Sequence, residues 1–264
     1  MQENELLAEA SPNPTQRAET LHALRQICRG TSIRGASSRG ISSPFTTQTE
    51  SRGRLSTGLP ALDALLPERG IEPGWLVEWL APVEGCGVSV LALQGVRPAL
   101  ARQPVWAVVD GMGEFHPAAA LGWGISIEML LWLRPASVAD TAWTVEQCLR
   151  CPAVGVTWIQ ADRLPERVLQ RWKIAAEAGG GIGVLFRPAT AARQASWADL
   201  RWLVQPRPTL AHVEGKRIRV ELLSCRGRCH EGGAVELDVC DATGDVRLVS
   251  SLATATSPRR AAGA

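Results

Sequence analysis

The sequence predicts an α/β fold, a mostly parallel twisted sheet flanked by helices and extended near its C-terminal end by antiparallel strands. Three observations carry this. Short, nearly continuous apolar runs at residues 75–80, 105–110, 154–160 and 182–186 have strand length and no wet face, as parallel strands covered on both sides do. Segments with helical spacing at 88–101, 138–150 and 165–178 separate them, so strand and helix alternate as in βαβ units. After residue 198 the chain becomes strands with short turns. There Arg217-Ile218-Arg219-Val220-Glu221-Leu222 alternates polar and apolar, the mark of an antiparallel strand with one wet face.

The elements follow in order. Residues 1–13 are polar. Residues 14–29 place Leu21, Leu24 and Cys28 on one helical face, with Ala18 a turn earlier. Residues 30–54 are rich in Ser, Thr, Arg and Gly without apolar periodicity and read as a linker. The folded core begins at Leu55, and Leu59, Leu62 and Leu66 share a helical face. Val105 to Asp110 is a buried strand ending in an acid, followed by the loop 111–117 and a short Ala-rich helix. A short strand is expected at 129–133. Pro165 suits an early helical position, and Gly179-Gly180-Gly181 ends the helix at 165–178. The antiparallel part comprises 200–204, 217–223, 235–239 and 246–250. The expected division is an N-terminal helix and linker (1–54), a core (55–252) and a tail (253–264).

With 264 residues and a 45% hydrophobic fraction, the chain is long enough to bury one sizeable core. A net charge of +2 is, alone, weak evidence for nucleic acid. Lys173 and Lys216 are the only lysines, so nearly all basic groups are arginines. The seven cysteines are odd in number and scattered, the first residues are polar and acidic, and no apolar run approaches a membrane span. A cytoplasmic location with free thiols is the expectation.

The stretch from Trp75 to Leu91 is a strand, a glycine-containing turn and the start of a helix, the arrangement that carries a phosphate loop. A working loop reads G-x-x-x-x-G-K-[ST], where backbone N–H groups and the Lys hold the phosphates. Here Gly87 fits the second glycine and Ser89 the hydroxyl position, but Val88 replaces the Lys and Pro82 falls where the first glycine belongs. Gly85, Gly87, Val88 and Ser89 therefore form a degenerate nucleotide loop. A helix N-terminus with these glycines retains the means to hold an anion weakly; the competing reading is a loop that only packs.

Other constellations are weaker. Cys225-x-x-x-Cys229-His230 with Cys240 has one pair at zinc-like spacing but no second close pair, and Cys148-x-x-Cys151 lies on a helix, so thiols packing as small hydrophobes are expected. No metal site and no Ser-His-Asp or Cys-His set is read. Basic residues concentrate in the C-terminal third: Arg187, Arg193, Arg207, Arg226 and Arg228 are candidates for contact with DNA or a partner, with Trp197 and Trp202 as stacking surfaces. An ordinary charged face with core tryptophans explains the same pattern.

Leu55-Ser56-Thr57-Gly58-Leu59-Pro60-Ala61-Leu62-Asp63 followed by Gly74-Trp75-Leu76-Val77-Glu78 resembles the opening of the RecA-type recombinase core. Other runs resemble a RecA-like family without recombinase activity, the ImuA-type proteins of bacterial mutasome cassettes. They are Val109 to Pro117, Trp143-Thr144-Val145-Glu146-Gln147-Cys148-Leu149-Arg150, Arg171 to Gly180, Gly183-Val184-Leu185-Phe186-Arg187-Pro188, and Arg217 to Leu223 leading to Arg226-Gly227. The resemblance covers about residues 55–249 and is most specific from Trp143 to Pro188.

The resemblance implies a RecA-like P-loop NTPase core serving as an accessory protein of SOS-induced translesion DNA synthesis, acting by binding rather than catalysis. The implied partners are a Y-family-polymerase-like mutasome protein and an error-prone replicative-type polymerase, with DNA, self-association or RecA contact as further options and no membrane. In RecA the metal-holding acid ends the strand matching 154–160, where this chain has Gln160. The water-activating Glu follows the preceding strand by two residues, where this chain has Met112. With Val88, three catalytic positions have drifted together, so no ATPase activity, catalytic residue or cofactor is expected. Asp162 is a shifted substitute for the missing acid in the alternative reading, an ATP-dependent RecA-like enzyme. A SulA-like inhibitor of cell division is a third. RecA's N-terminal helix docks on its neighbour, and residues 14–29 suit a similar role in self-association or partner docking.

Overall fold

A computed structural model of the chain describes residues 13–35, 53–82, 85–122, 126–209, 215–227, 233–240 and 245–249. The expected tail, most of the expected linker and residues 1–12 lie outside these. The described elements are α1 (Pro14–Gly35), α2 (Pro60–Asp63), β1 (Leu76–Ala81), α3 (Val88–Arg102), β2 (Val105–Val109), α4 (Pro117–Gly122), β3 (Leu130–Leu133), α5 (Val138–Arg150), β4 (Val154–Gln160), α6 (Glu166–Gly179), β5 (Ile182–Pro188), β6 (Leu200–Arg207), β7 (Lys216–Cys225), β8 (Ala234–Val239) and β9 (Val246–Leu248). They form one sheet of order β3-β2-β4-β5-β1-β6-β7-β8-β9. β3 through β6 in that order are mutually parallel, and β7, β8 and β9 are antiparallel additions.

The apolar runs of β1, β2, β4 and β5 are continuous because both sheet faces are covered. Successive residues point to opposite sides. Val77, Trp106, Val108, Val156 and Val184 pack with Val90, Leu91 and Val96 of α3 on one face. Leu76, Ala107, Val109, Ile159 and Leu185 pack with Val145 and Leu149 of α5 and Leu169 and Trp172 of α6 on the other. α5 starts with a reciprocal cap: Ser137 Oγ accepts from the Asp140 backbone N–H at 3.1 Å and donates to Asp140 Oδ2 at 2.7 Å. α6 ends where Gly180 adopts φ 78, a left-handed conformation that favours glycine.

Three expectations are corrected. The segment beginning at Leu55 is not a full helix; only Pro60–Asp63 is helical. Asp63 ties it into a turn instead, accepting from Thr57 N at 2.8 Å and Thr57 Oγ1 at 2.7 Å. The strand beginning at Leu200 does not open the antiparallel part but runs parallel to β1. Asp199 sets this pairing, because its N–H donates to Leu76 O and its Oδ2 accepts from Leu76 N, both at 2.9 Å. The N-terminal helix is longer than 14–29 and lies on α5 of its own chain. Asn13 N donates to Asp140 Oδ1 at 2.6 Å, Gln16 Nε2 to Arg134 O at 3.1 Å, Arg17 stands 4.9 Å over the Trp143 ring, and Leu24 is buried. No helix of the described residues is long and apolar enough to cross a membrane.

Candidate functional site

A cleft of about 590 Å³ opens at the C-terminal ends of β1, β4 and β5. Gly85, Val88 and Ser89 line it from the loop, Gln160 and Asp162 from the end of β4, and Arg187 from β5. The sheet therefore brings Gly85, Val88 and Ser89 of the loop together with Gln160 and Asp162 at the end of β4. Gly87 caps α3 with φ 89, so the loop turns as a phosphate loop must, and no side chain caps the helix. A Cβ at Gly87 would lie 3.8 Å from Val239, so β8 covers the outer flank of the loop. Cys86, between the two loop glycines, is buried in the core. Burial pushes its thiol up, while the Val88 backbone N–H and the charge of Lys216 pull it down. Lys216 reaches this neighbourhood from β7, a proximity without any signal in the local sequence.

Arg187, which lines the cleft, belongs to a buried charge cluster. Glu78 on β1 is fully buried between Arg187, whose Nη1 donates at 2.8 Å, and Arg201 of β6, whose Nε donates to its other oxygen. Arg187 Nη2 also donates to Gln194 Oε1 at 2.6 Å, and Arg201 Nη2 to Ala191 O at 2.9 Å. Two cations thus share one carboxylate. The three side chains are adjacent because β5, β1 and β6 are neighbours in register, Glu78 pairing with Arg201 across β1 and β6.

The rim beyond β2 is locked by Asp110, whose Oδ1 accepts from Glu114 N at 2.9 Å and whose Oδ2 accepts from Trp132 Nε1 at 3.1 Å. Glu114 in turn accepts from Gln160 Nε2 at 2.6 Å. Gln160 and Glu114 therefore bond each other across the cleft. Asp162 is exposed at the cleft, and Met112 is 47% exposed.

The predicted basic contacts do not form one surface. Arg187 is corrected from a surface contact: its side chain is 1% exposed and pairs with Glu78. Trp202 is likewise fully buried and offers no stacking surface, whereas Trp197 is 42% exposed with Nε1 donating to Glu166. Arg207 lies 3.7 Å from Glu236, and Arg226 lies 2.8 Å from Glu177 and 3.3 Å from Asp199. Carboxylates across β7 and β8 pair Arg217 as well, with Asp238 at 2.8 Å. The basic residues that stood out in the sequence are thus largely neutralised. Arg193 is exposed and pairs with no described acid. Arg228 lies outside the described residues, as do Cys229 and His230. Among the described residues no group of three His, Cys, Asp or Glu side chains has the arrangement of a metal site. Cys148 and Cys151 are buried, and burial pushes both thiols up.

Beside the cleft lies a second feature unmarked in the sequence. Trp106 contacts Phe115 and Trp158 edge to face, at 5.5 Å from each, and Phe186 packs tilted at 44° against Trp158 at 4.4 Å. These residues come from β2, its following loop, β4 and β5. Only the strand order makes them neighbours.

No protein-family model matches the chain, and no curated protein matches it in sequence. Among solved structures, the crystal structure of the RadB recombinase is similar at 16% identity, over 72% of this chain and 97% of that one, with a TM-score of 0.56. With its mostly parallel sheet and C-terminal antiparallel strands, the chain has a RecA-like fold.

Proposed function

We propose that the chain is a non-catalytic RecA-like accessory protein of DNA repair, acting in SOS-induced translesion synthesis by binding a Y-family-polymerase-like partner. The observation that carries this reading is the cleft. Val88 supplies no charge, and Gln160, a neutral and poor Mg²⁺ ligand, is hydrogen-bonded to Glu114 at 2.6 Å. The cleft keeps the shape of a nucleotide site without the groups that polarise a γ-phosphate, and the resemblance to ImuA-type proteins supplies the pathway. DNA contact, in this reading, is secondary and centres on Arg193, since Arg207 and Arg226 are paired. Affinity for single-stranded DNA that falls steeply with salt and weakens in Arg193→Ala would support it.

The test is co-purification with the polymerase-like partner, with ATP hydrolysis assayed on the same complex. Stable association without hydrolysis is expected. A second reading, an ATP-dependent enzyme using Asp162, has one observation in its favour: Asp162, Glu114 and Ser89 all line the cleft. Robust Mg²⁺-dependent turnover abolished by Asp162→Ala would replace the first reading with the second.

A further inference from the structure

α1 is held lightly to the rest of the chain. Of its described side chains only Thr20 and Leu24 are buried, and Ile27 and Cys28 are half-buried against the same core. Its N-terminal end is tied down by the bonds of Asn13 to Asp140 and of Gln16 to Arg134 O. Towards the other end the contact is between two thiols. Cys28 Sγ lies 3.6 Å from Cys151 Sγ, although the residues are 123 apart in sequence. Cys151 is the residue that ends α5, so the two sulfurs face each other across the seam between α1 and α5. Thiols packed within one rigid unit would change little on oxidation. These two straddle the seam along which α1 would leave.

We propose that Cys28 and Cys151 form a redox latch: hydrogen peroxide closes it and staples α1 to α5, and a dithiol reopens it. Cys28 is the entry point, because it is half-buried, whereas Cys151 is 8% exposed and burial pushes its thiol up. Cys28 Sγ attacks a peroxide oxygen and the O–O bond breaks. The departing hydroxide takes the thiol proton as water, and Cys28 is left as a sulfenic acid. Cys151 Sγ then attacks Cys28 Sγ; the S–S bond forms, the S–O bond breaks, and the hydroxide leaves with the Cys151 proton as a second water. Two thiols lose two electrons, and the peroxide gains them. The sulfurs must close from 3.6 Å to about 2.05 Å. As thiols the pair adds only the packing of two small side chains. As a disulfide it removes the open states in which α1 departs. What the latch controls is access to α1 and to the face of α5 beneath it, where Arg17 covers Trp143. A protein that binds either surface engages the reduced chain and is shut out of the oxidised one. The inference does not rest on the proposed role in translesion synthesis.

The experiment compares the full chain reduced with dithiothreitol and oxidised with hydrogen peroxide. Non-reducing peptide maps identify the bond, and amide exchange read by mass spectrometry follows residues 14–28. One intramolecular Cys28–Cys151 bond is expected, with exchange in α1 slowed about tenfold or more and restored by dithiothreitol. Cys28→Ser should exchange at the reduced rate under both conditions, whereas Cys148→Ala should still respond to peroxide; circular dichroism reports whether each variant folds. Unchanged exchange in a chain that carries the bond overturns the proposal without any variant, since the bond then holds nothing that moves. A bond between Cys148 and Cys151, a bond between two chains, or no bond at all overturns it too, as does slowing that persists in Cys28→Ser.

Discussion

Replacing Glu78 by Gln tests the buried cluster most directly. The substitution is isosteric and leaves β1 intact, but it withdraws the one negative charge between Arg187 and Arg201. Both cations would stay buried, Arg187 at 1% and Arg201 at 11% side-chain exposure. Their remaining bonds, to Gln194 and Ala191, are to neutral acceptors. Removing one partner of a buried ion pair destabilises by about 3–5 kcal/mol. Because Glu78 serves two arginines, we expect ~4 kcal/mol, a large part of a typical domain stability of about 5–15 kcal/mol. Urea unfolding at pH 7 should show a lowered midpoint with unchanged slope. The melting temperature should fall by roughly 8–16 °C, at about 2–4 °C per kcal/mol for a domain of this size. Replacing the whole cluster by Leu at 78 and Met at 187 and 201 should recover most of the loss, because it removes the stranded charges with their partner. A loss below about 1 kcal/mol for Glu78→Gln, the range of surface pairs, would refute the reasoning: the cluster would then be solvated or unformed.

Three further outcomes follow from the same geometry. Asp110→Asn turns one accepting oxygen into a donor facing either Trp132 Nε1 or Glu114 N, so about 1–3 kcal/mol of stability should be lost, with faster amide exchange at residues 111–116; unchanged exchange would contradict the locking role of Asp110. Cys28 Sγ and Cys151 Sγ lie 3.6 Å apart, so mild oxidation should join them and Cys28→Ala should prevent it; a linkage absent from non-reducing peptide maps would place α1 elsewhere. Arg217 holds the Asp238 carboxyl below its ordinary range, and hydrogen bonding from Lys173 and then Arg226 does the same for Glu177. Depressed carboxylates bind protons more readily when unfolded, so their stabilisation is complete above the ordinary carboxylate pKa, about 4, and is lost as pH falls through the lower folded values; the urea midpoint should drop there, and less so in Asp238→Asn.

The parallel core was legible because its strands are apolar without interruption, a pattern that only burial on both faces explains. α5 was placed to the residue by its helical spacing alone, Val145 and Leu149 falling on the face the structure buries; the Ser137–Asp140 cap emerged only from the structure. The pairing of β6 was not legible. Leu200 to Val204 carries no mark of direction, and the residue that decides it, Asp199, acts through Leu76, far away in sequence. The loop was found as a motif with defects, but its surroundings were not. Lys216 of β7 and Val239 of β8 approach it from segments far away in sequence. Arg187 misled for a related reason: an arginine after an apolar strand reads as surface when the carboxylate that buries it, Glu78, lies on another strand. Composition likewise overstated the basic C-terminal third, because the acids that pair with Arg207, Arg217 and Arg226 stand opposite them only once the strands are registered.

The resting place of α1 bears on any partner that engages the N-terminal arm. Such a partner competes with α5 for the same helix. It must first break the Asn13–Asp140 and Gln16–Arg134 bonds, lift Arg17 from Trp143 and uncover Leu24. Its apparent affinity is its intrinsic affinity multiplied by the fraction of chains with the arm released. Each 1.4 kcal/mol of docking free energy reduces it about tenfold. Weakening the dock, by Asp140→Ala for instance, would therefore tighten such a complex while destabilising the free chain, so the two effects of one substitution carry opposite signs.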